Sequence, residues 1–444
     1  MPRTSTLSSV ELDVAVEPRR AEPVEPETPF RILVAGDFSG GAGASRRTVE
    51  IDRDNFDEVM ARVAPELKLP FGGGEVTLKF RELDDFHPDR LFQNLEPFRK
   101  LRELREGIED GSVQAPAAAS ASAQERQVAR SGADLLRDMM GEPAQAAAPA
   151  RRSDWDQMLR DIVAPYAVPG ENPRKGEMVA QTDRAIAGEM RALLHHPSFQ
   201  SLEAAWRGLY FLTRRLETGE MLRVFLLDLP RQALDAETLR TAVGDESWGV
   251  LAGLYYFEPK DEDRLKEISF VARVAGAPFL SGLGLSVVGL EKAFSELRAS
   301  AYARWIGLAM PRFLLRLPYG KSGMEAESFA FEELSSPPEH ERYLWGHPAI
   351  ACAYLLGEAF TRYGWAMRPN SVLEIDSLPA HVFKENGESQ LKPCAEVLLT
   401  DDASEILLDR GFMPLASVKG ADKIRLVRFQ SVADPPAPLA GQWS

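Results

Sequence analysis

The sequence predicts an α/β protein, because strands and helices alternate along the second half of the chain. Apolar, strand-like runs begin at Met221, Val250 and Pro278, and each is followed by a segment whose apolar residues have helical spacing. Such alternation is typical of a sheet with helices packed on its faces. The helices predicted after the three runs cover residues 232–243, 262–275 and 290–305.

The chain is also predicted to divide into two domains. At 444 residues it is longer than one ordinary domain. Residues 111–152 are rich in alanine, proline, serine and glutamine, which is typical of a linker. We therefore expect a first domain over residues 1–110 and a larger one over residues 153–444. An amphipathic island at residues 133–140 of the linker is either a docking peptide or a transient helix.

Composition narrows the class of protein. The net charge of −15 argues against a nucleic-acid partner. Cys352 and Cys394 are too few for a disulfide framework, so a reducing, cytoplasmic setting is expected. The most membrane-like stretch, residues 270–290, contains Arg273 and Pro278 and is predicted to be a buried turn and strand rather than a membrane span.

The clearest helical pattern lies at residues 198–216. Pro197 fits the first turn of a helix, where its missing N–H has no partner in any case. One stripe of apolar spacing predicts a core-facing side, with Glu203 and Arg207 placed off it. The stripe consists of Phe199, Leu202, Trp206, Leu209, Thr213 and Leu216.

A glycine-rich loop at residues 36–45 follows the apolar run at 30–35 and raises the question of phosphate binding. Ala42 stands where a phosphate loop requires lysine, and Arg46 stands where the dinucleotide pattern requires a third glycine. Asp37 would repel a phosphate. A surface loop is therefore predicted, and a nucleotide-binding α/β enzyme is the alternative that this loop would support.

Other residues with chemical potential have structural explanations. Asp84, Asp85 and His87 resemble an acid–base or metal cluster, but carboxylates in a first helical turn commonly act as caps. Only His195 and His196 are close in sequence, and adjacent residues at a helix end do not easily bind one ion. We predict no catalytic residue, no metal site and no cofactor. The histidines considered are His87, His195, His196, His340, His347 and His381.

Two terminal segments have strand patterns. Residues 10–16 alternate between apolar and polar, and a charged, proline-rich spacer follows them. Because an isolated strand is not stable, this one has to pair with its own domain or with a neighbouring molecule. Residues 423–430 form the last predicted strand, and an acidic helix is predicted at residues 402–410.

Several motifs resemble those of one family. The segments HHPSFQSLEAAWRGLYFL, RFLLRLPYG, ESFAFEE, YLWGHPAIACAYLLGEAF, LPAHVF and DRGFMPL resemble the large subunit of the type VI secretion contractile sheath, called TssC or VipB, over residues 175–430. The segments FRILVAGDFSG, IDRDNFDEVM and LKFRELDDFHPDRLFQNLEPFRKLRELR resemble the small subunit, called TssB or VipA, over residues 10–105. The chain resembles a fusion of the two.

The resemblance implies a structural subunit without an active site. Small and large subunits of that family form a protomer that polymerises helically around an inner tube, is held extended by a baseplate, and contracts to drive the tube into a target cell. Exchanged terminal strands couple the protomers, and the residues that match this role are Val10, Leu12, Val14, Val16, Ile424, Leu426, Arg428 and Gln430. The candidate tube-facing residues, for which a solvated face is the alternative, are Asp401, Asp402, Glu405 and Asp409.

The sequence departs from the family pattern in two respects, the first of which is that the small-subunit match lacks the usual segment beyond its helical region. Most of the long N-terminal segment of the large subunit, which a recycling AAA+ unfoldase engages in the family, has no match here, so recycling by that partner is left open. A sheath-like adaptor or cap that does not contract is the alternative with the same fold. Sheaths of phage or extracellular type are disfavoured by the small-subunit motifs.

Overall fold

The computed structural model describes residues 25–41, 43, 47–71, 74–110, 175–284, 293–321, 323–335 and 337–443. The amino-terminal arm and the linker, including the island at 133–140, lie outside these residues. The strands are β1 (Phe30–Gly36), β2 (Val49–Ile51), β3 (Glu66–Phe71), β4 (Gly74–Lys79), β5 (Leu222–Asp228), β6 (Val250–Phe257), β7 (Phe279–Leu283), β8 (Ile306–Met310), β9 (Phe313–Leu314), β10 (Trp345–Gly346), β11 (Glu374–Ile375), β12 (Val382–Glu385), β13 (Glu388–Leu391), β14 (Met413–Ser417) and β15 (Ile424–Leu426).

The α-helices alternate with the strands in the second region, as the sequence predicts for an α/β fold. They are α1 (Phe56–Val63), α2 (Pro88–Asn94), α3 (Glu96–Glu109), α4 (Lys175–Leu194), α5 (Pro197–Arg215), α6 (Ala236–Val243), α7 (Glu262–Ala275), α8 (Ser295–Arg298), α9 (Pro348–Tyr363) and α10 (Asp401–Asp409). No helix among the described residues combines the length and the apolar character needed to cross a membrane.

One mixed sheet of nine strands organises the molecule, in the order β11-β15-β14-β8-β7-β6-β1-β5-β2. Six neighbouring strands, from β14 to β5, are parallel, and the antiparallel strands β2, β15 and β11 extend the two sides. The two faces are covered by separate clusters of buried apolar side chains. Central parallel strands are buried on both faces, which explains why β1 and β6 are almost continuously apolar.

The amino-terminal region supplies a central strand of this sheet. β1 lies between β5 and β6, with Phe30 opposite Leu222 and Ile32 opposite Val250. The division into residues 1–110 and 153–444 therefore does not correspond to two separate cores, because both regions contribute to one sheet and one apolar cluster. Parallel pairing between distant segments has no local signature, and for that reason the sequence did not reveal it.

Helix α5 confirms the main helical prediction, and it begins with a cap that recurs in the chain. All six residues of the predicted stripe are buried. His196 precedes Pro197 and accepts the Ser198 N–H through its Nδ1. The same His-Pro arrangement begins two other helices, where His87 caps α2 and His347 caps α9. Histidine here acts as the N-cap, and proline occupies the first helical position.

Several predicted boundaries were wrong. Apolar residues at helical spacing from Leu91 to Leu104 predict one continuous helix, but the structure has two, because Leu95 is extended and Pro97 lies in the first turn of the second helix. Of the helix predicted at 290–305, the described residues retain only α8 and a 3-10 turn at Ala303–Trp305. The last strand ends at Leu426 instead of Gln430. Strand β3 was not predicted.

Candidate functional site

The acidic helix α10 presents its carboxylates to solvent. Asp401, Asp402, Glu405 and Asp409 are all exposed, while Leu407 and Leu408 pack inward. The Thr400 hydroxyl caps the helix by accepting the Ala403 N–H at 3.2 Å. Among the described residues no basic side chain forms an ion pair with these four carboxylates. Two exposed apolar side chains, Leu398 and Ile406, accompany them, so the surface is both anionic and partly apolar.

The carboxyl-terminal candidate strand is placed inside the chain's own sheet. Ile424 and Leu426 belong to β15, which pairs with β14 on one side and β11 on the other. Arg428 and Gln430 lie beyond this strand, and the buried Gln430 side chain donates to the Leu408 and Phe412 carbonyls at 2.7 and 2.8 Å. Both edges of β15 are thus occupied within the chain. Val10, Leu12, Val14 and Val16 lie outside the described residues.

An exposed hairpin, β12–β13, projects from the body of the protein. Asn386 and Gly387 connect the strands, and both have positive φ, 52° and 85°, as a two-residue type I′ turn requires. At its base the Lys392 N–H donates to the His381 carbonyl at 2.8 Å. The two strands form a sheet of their own, so no third strand among the described residues pairs with their outer edges. The Asn-Gly dipeptide would have predicted this turn from the sequence.

A buried ionic network lies between α5 and the segment after β9. The Arg316 guanidinium contacts Glu203 through Nε at 2.8 Å and Glu333 through Nη1 at 2.7 Å. Arg207 shares the Glu203 carboxylate at 2.7 Å and donates to the Tyr319 hydroxyl at 3.0 Å. Glu203, Arg316 and Glu333 are each at most 5% exposed, so their charges are compensated almost entirely by one another.

The network has a defined charge state. Burial alone would raise the pKa of Glu333, but Arg316 and hydrogen bonds from His195 and the Tyr319 N–H hold it down at about 2. The pKa of Arg316 is raised in spite of burial, because Glu203 and Glu333 flank it. Glu203 was predicted to lie off the buried stripe, so its part in this network was not predicted. The available signal was the presence of charged residues in otherwise apolar runs, one arginine in FLLRLP and two glutamates in FAFEEL.

Specific contacts join the amino-terminal region to the rest of the chain. The Trp206 indole N–H donates to the Phe38 carbonyl at 2.9 Å. The Asp89 carboxylate accepts the Glu327 and Ser328 N–H groups, both at 2.9 Å. These bonds fix the buried Trp206 ring against one segment of the amino-terminal region and the loop at Glu327 against another. The regions on either side of the linker are therefore held in one arrangement.

The glycine-rich loop and His347, which were considered for enzyme chemistry, make hydrogen bonds within the protein. Asp37 accepts the Gly40 and Gly41 N–H groups at 2.8 and 2.9 Å, so these donors are not directed at a phosphate. A cavity of about 590 Å³ lies beside this loop, lined in part by Tyr256 and His347. The two ring nitrogens of His347 contact the Tyr255 carbonyl and the Ala349 N–H. Among the described residues no group of histidine, cysteine and carboxylate side chains has metal-binding geometry.

Comparison with known proteins relates the chain to subunits of a tail sheath. The profile described as EvpB/VC_A0108, tail sheath N-terminal domain (VipB), matches residues 176–297 and 292–433. The profile described as Type VI secretion system, VipA, VC_A0107 or Hcp2, matches residues 9–126. A structural α/β subunit of a tail sheath is therefore the class that the fold and the comparisons define.

The chain belongs to the type VI secretion sheath family and joins a small-subunit-like and a large-subunit-like region in one polypeptide. It is similar to the type VI secretion system sheath protein TssC1 of Pseudomonas aeruginosa, with 32% identity over 305 residues, covering 58% of this chain. The match covers 61% of that relative, so the chain spans about three fifths of its length. The resemblance stated from the sequence motifs is confirmed.

Proposed function

We propose that the chain is a structural subunit of a contractile sheath in the bacterial cytoplasm, which polymerises helically around an inner tube and contracts, from a baseplate, to drive that tube into a target cell. The observation that carries this proposal is the match of both sheath-subunit profiles within one chain. The shared sheet adds support, because β1 inserts between β5 and β6 and joins the small-subunit-like and large-subunit-like regions in one folded unit.

Coupling between protomers is proposed to use strand addition. The alternating segment Val10, Leu12, Val14 and Val16 is the arm, and a charged spacer gives it reach. Its acceptor is proposed to be hairpin β12–β13, since this hairpin exposes both outer edges and a two-stranded hairpin alone is marginally stable. The edges of the main sheet are poorer acceptors, because β2 and β11 are only three and two residues long. β15 is proposed to act from within its own sheet, between β14 and β11.

Removing either partner of this contact should abolish long polymers and leave the protomer folded. One variant deletes residues 1–18, and the other replaces residues 382–391 with a short glycine-serine turn. Such a turn can close the chain, because the hydrogen bond between Lys392 and His381 already holds the two ends together. Circular dichroism checks folding, and negative-stain electron microscopy checks polymers.

A matched pair of variants separates strand addition from simple loss of mass. Serine at Val10, Leu12, Val14 and Val16 should prevent polymerisation, whereas serine at Glu11, Asp13 and Ala15 should not, because only the first set lies on the apolar face. Intact polymers from the first set would refute the arm.

The acidic face of α10 is proposed to contact the inner tube, and its reversal should uncouple sheath from tube. The variant Asp401→Lys/Asp402→Lys is expected to fold but to fail to co-sediment with tube protein, because repulsion replaces attraction. The matched control is Asp57→Lys/Glu58→Lys, which reverses an exposed acidic pair in the first turn of α1. Equal loss of tube binding in both variants would contradict the assignment.

A further inference from the structure

The base of hairpin β12–β13 contains a lysine in an unusual setting. Lys392 is 8% exposed, and among the described residues no carboxylate forms an ion pair with it. Its Nζ lies 4.7 Å from the Tyr343 ring centre and 5.8 Å from the Trp345 ring centre. Aromatic faces attract a cation, so these two rings hold the ammonium group in place of a counter-ion.

One histidine contacts the ammonium group of this lysine, and a second lies at the other end of the hairpin base. Lys392 Nζ is 2.7 Å from Nδ1 of His340, which lies at the surface. An ammonium group has donors and no acceptor, so this bond requires an unprotonated Nδ1. His381, which is 3% exposed, immediately precedes β12, and its Nδ1 is 2.7 Å from the Tyr343 hydroxyl.

We infer that His340, His381, Lys392, Tyr343 and Trp345 form an acid-sensitive latch, in which protonation of either histidine places a second cation beside Lys392 and releases the base of the hairpin. The latch is closed only while both imidazoles are neutral and the Lys392 ammonium is charged. His381 directly precedes the hairpin and Lys392 directly follows it, so their separation releases the base of both strands together.

The charges around His340 favour its neutral form on balance. Burial lowers its pKa first, and Lys392 and Arg312 lower it further. Glu396 and Glu341 act in the opposite direction, but Glu396 is itself paired with Arg312 through a bidentate contact. The bond from Lys392 to Nδ1 therefore belongs to the folded state at neutral pH.

The surroundings of His381 act in the same way. Burial lowers its pKa, and Lys392 adds to that effect. Glu332 and Glu333 oppose it, but Glu333 is committed to Arg316. A histidine whose folded-state pKa is lowered stabilises the closed state above about pH 6.5, and this stabilisation is lost as the pH falls below that value.

Hydrogen exchange on the dilute, unassembled full-length chain tests the latch. Between about pH 7.5 and pH 5.5 the opening of residues 382–391 should increase, by at most roughly tenfold for each histidine, after correction for intrinsic exchange. Hairpin β3–β4, which contains no histidine, should not share this increase and is the internal control.

Variants make the test specific. In His340→Asn/His381→Asn, asparagine keeps an acceptor near the Nδ1 position but does not titrate, so the acid-induced opening should disappear. His196→Asn, outside the latch, should leave it unchanged. Acid-induced opening that persists in the double variant, or that is equal in β3–β4, would overturn the latch.

Any effect of acid on assembly rests on the proposed function, because it requires the hairpin to be an arm acceptor. The exchange experiment does not, since it is made on unassembled chains. If acid opens the hairpin but no polymers form at neutral pH, the latch is supported and the proposed function is refuted. If polymers form at neutral pH but acid does not open the hairpin, the proposed function is supported and the latch is refuted.

Discussion

Arg316→Met is expected to lower the free energy of unfolding of the unassembled protomer by about 3–5 kcal/mol, as the loss of one partner of a buried ion network does. Glu203 and Glu333 flank the guanidinium, and both are buried. Methionine preserves most of the volume, so the effect comes from a carboxylate left without its counter-charge rather than from a cavity. Denaturant unfolding followed by circular dichroism measures it.

A second substitution separates charge from packing at this position. In Arg316→Met/Glu333→Gln the unpaired carboxylate is removed, while Glu203 keeps its bond to Arg207, so part of the lost stability should return. Arg99→Met, which removes an exposed ion pair with Glu96, should have no measurable effect. A double variant as unstable as Arg316→Met alone would contradict the electrostatic explanation.

Trp206→Ala is expected to cost about 3–5 kcal/mol, the usual range for truncating a buried aromatic side chain. The indole is fully buried, and its ring lies 5.3 Å from Phe38 and 5.9 Å from Phe56, both in the amino-terminal region. The substitution also leaves the Phe38 carbonyl without its donor. Assembly should fail because the protomer unfolds, which circular dichroism and denaturant unfolding will show.

Trp206 variants and arm variants should differ in what they change, because the first lower the stability of the protomer and the second remove only polymers. Trp206→Phe keeps a large part of the ring and should be less destabilising than alanine. Deletion of residues 1–18 should leave unfolding unchanged and remove only polymers. If Trp206→Ala unfolds within about 1 kcal/mol of the wild type, the aromatic contact does not join the two regions as described.

How far the sequence predicted this structure depends on whether a feature is local. The α5 stripe and the acidic helix near residue 401 were predicted because periodicity and caps are read within a few turns. The position of β1 between β5 and β6 depends on pairing across about two hundred residues, and no local pattern encodes it. The shared core followed from that pairing.

The residues of the candidate site also differ in whether the sequence alone could predict their surroundings. The exposure of the four carboxylates of α10 could be predicted from the sequence, whereas their contact with an inner tube stays a proposal. The burial of Glu203 was not predicted, because a glutamate beside an apolar stripe looks solvated until Arg316 and Glu333 are brought to it. The role of Ile424 as an exchanged arm was expected from the family resemblance, and only the structure revealed that its strand has neighbours on both sides.

Electron microscopy of the purified full-length chain, alone and co-expressed with its inner-tube protein, tests the central claim most directly. If one chain is a complete sheath building block, rings, tubes or contracted cylinders of helical symmetry should form without any separate small or large subunit. A folded chain that stays monomeric at high concentration, even with the tube protein present, would contradict it.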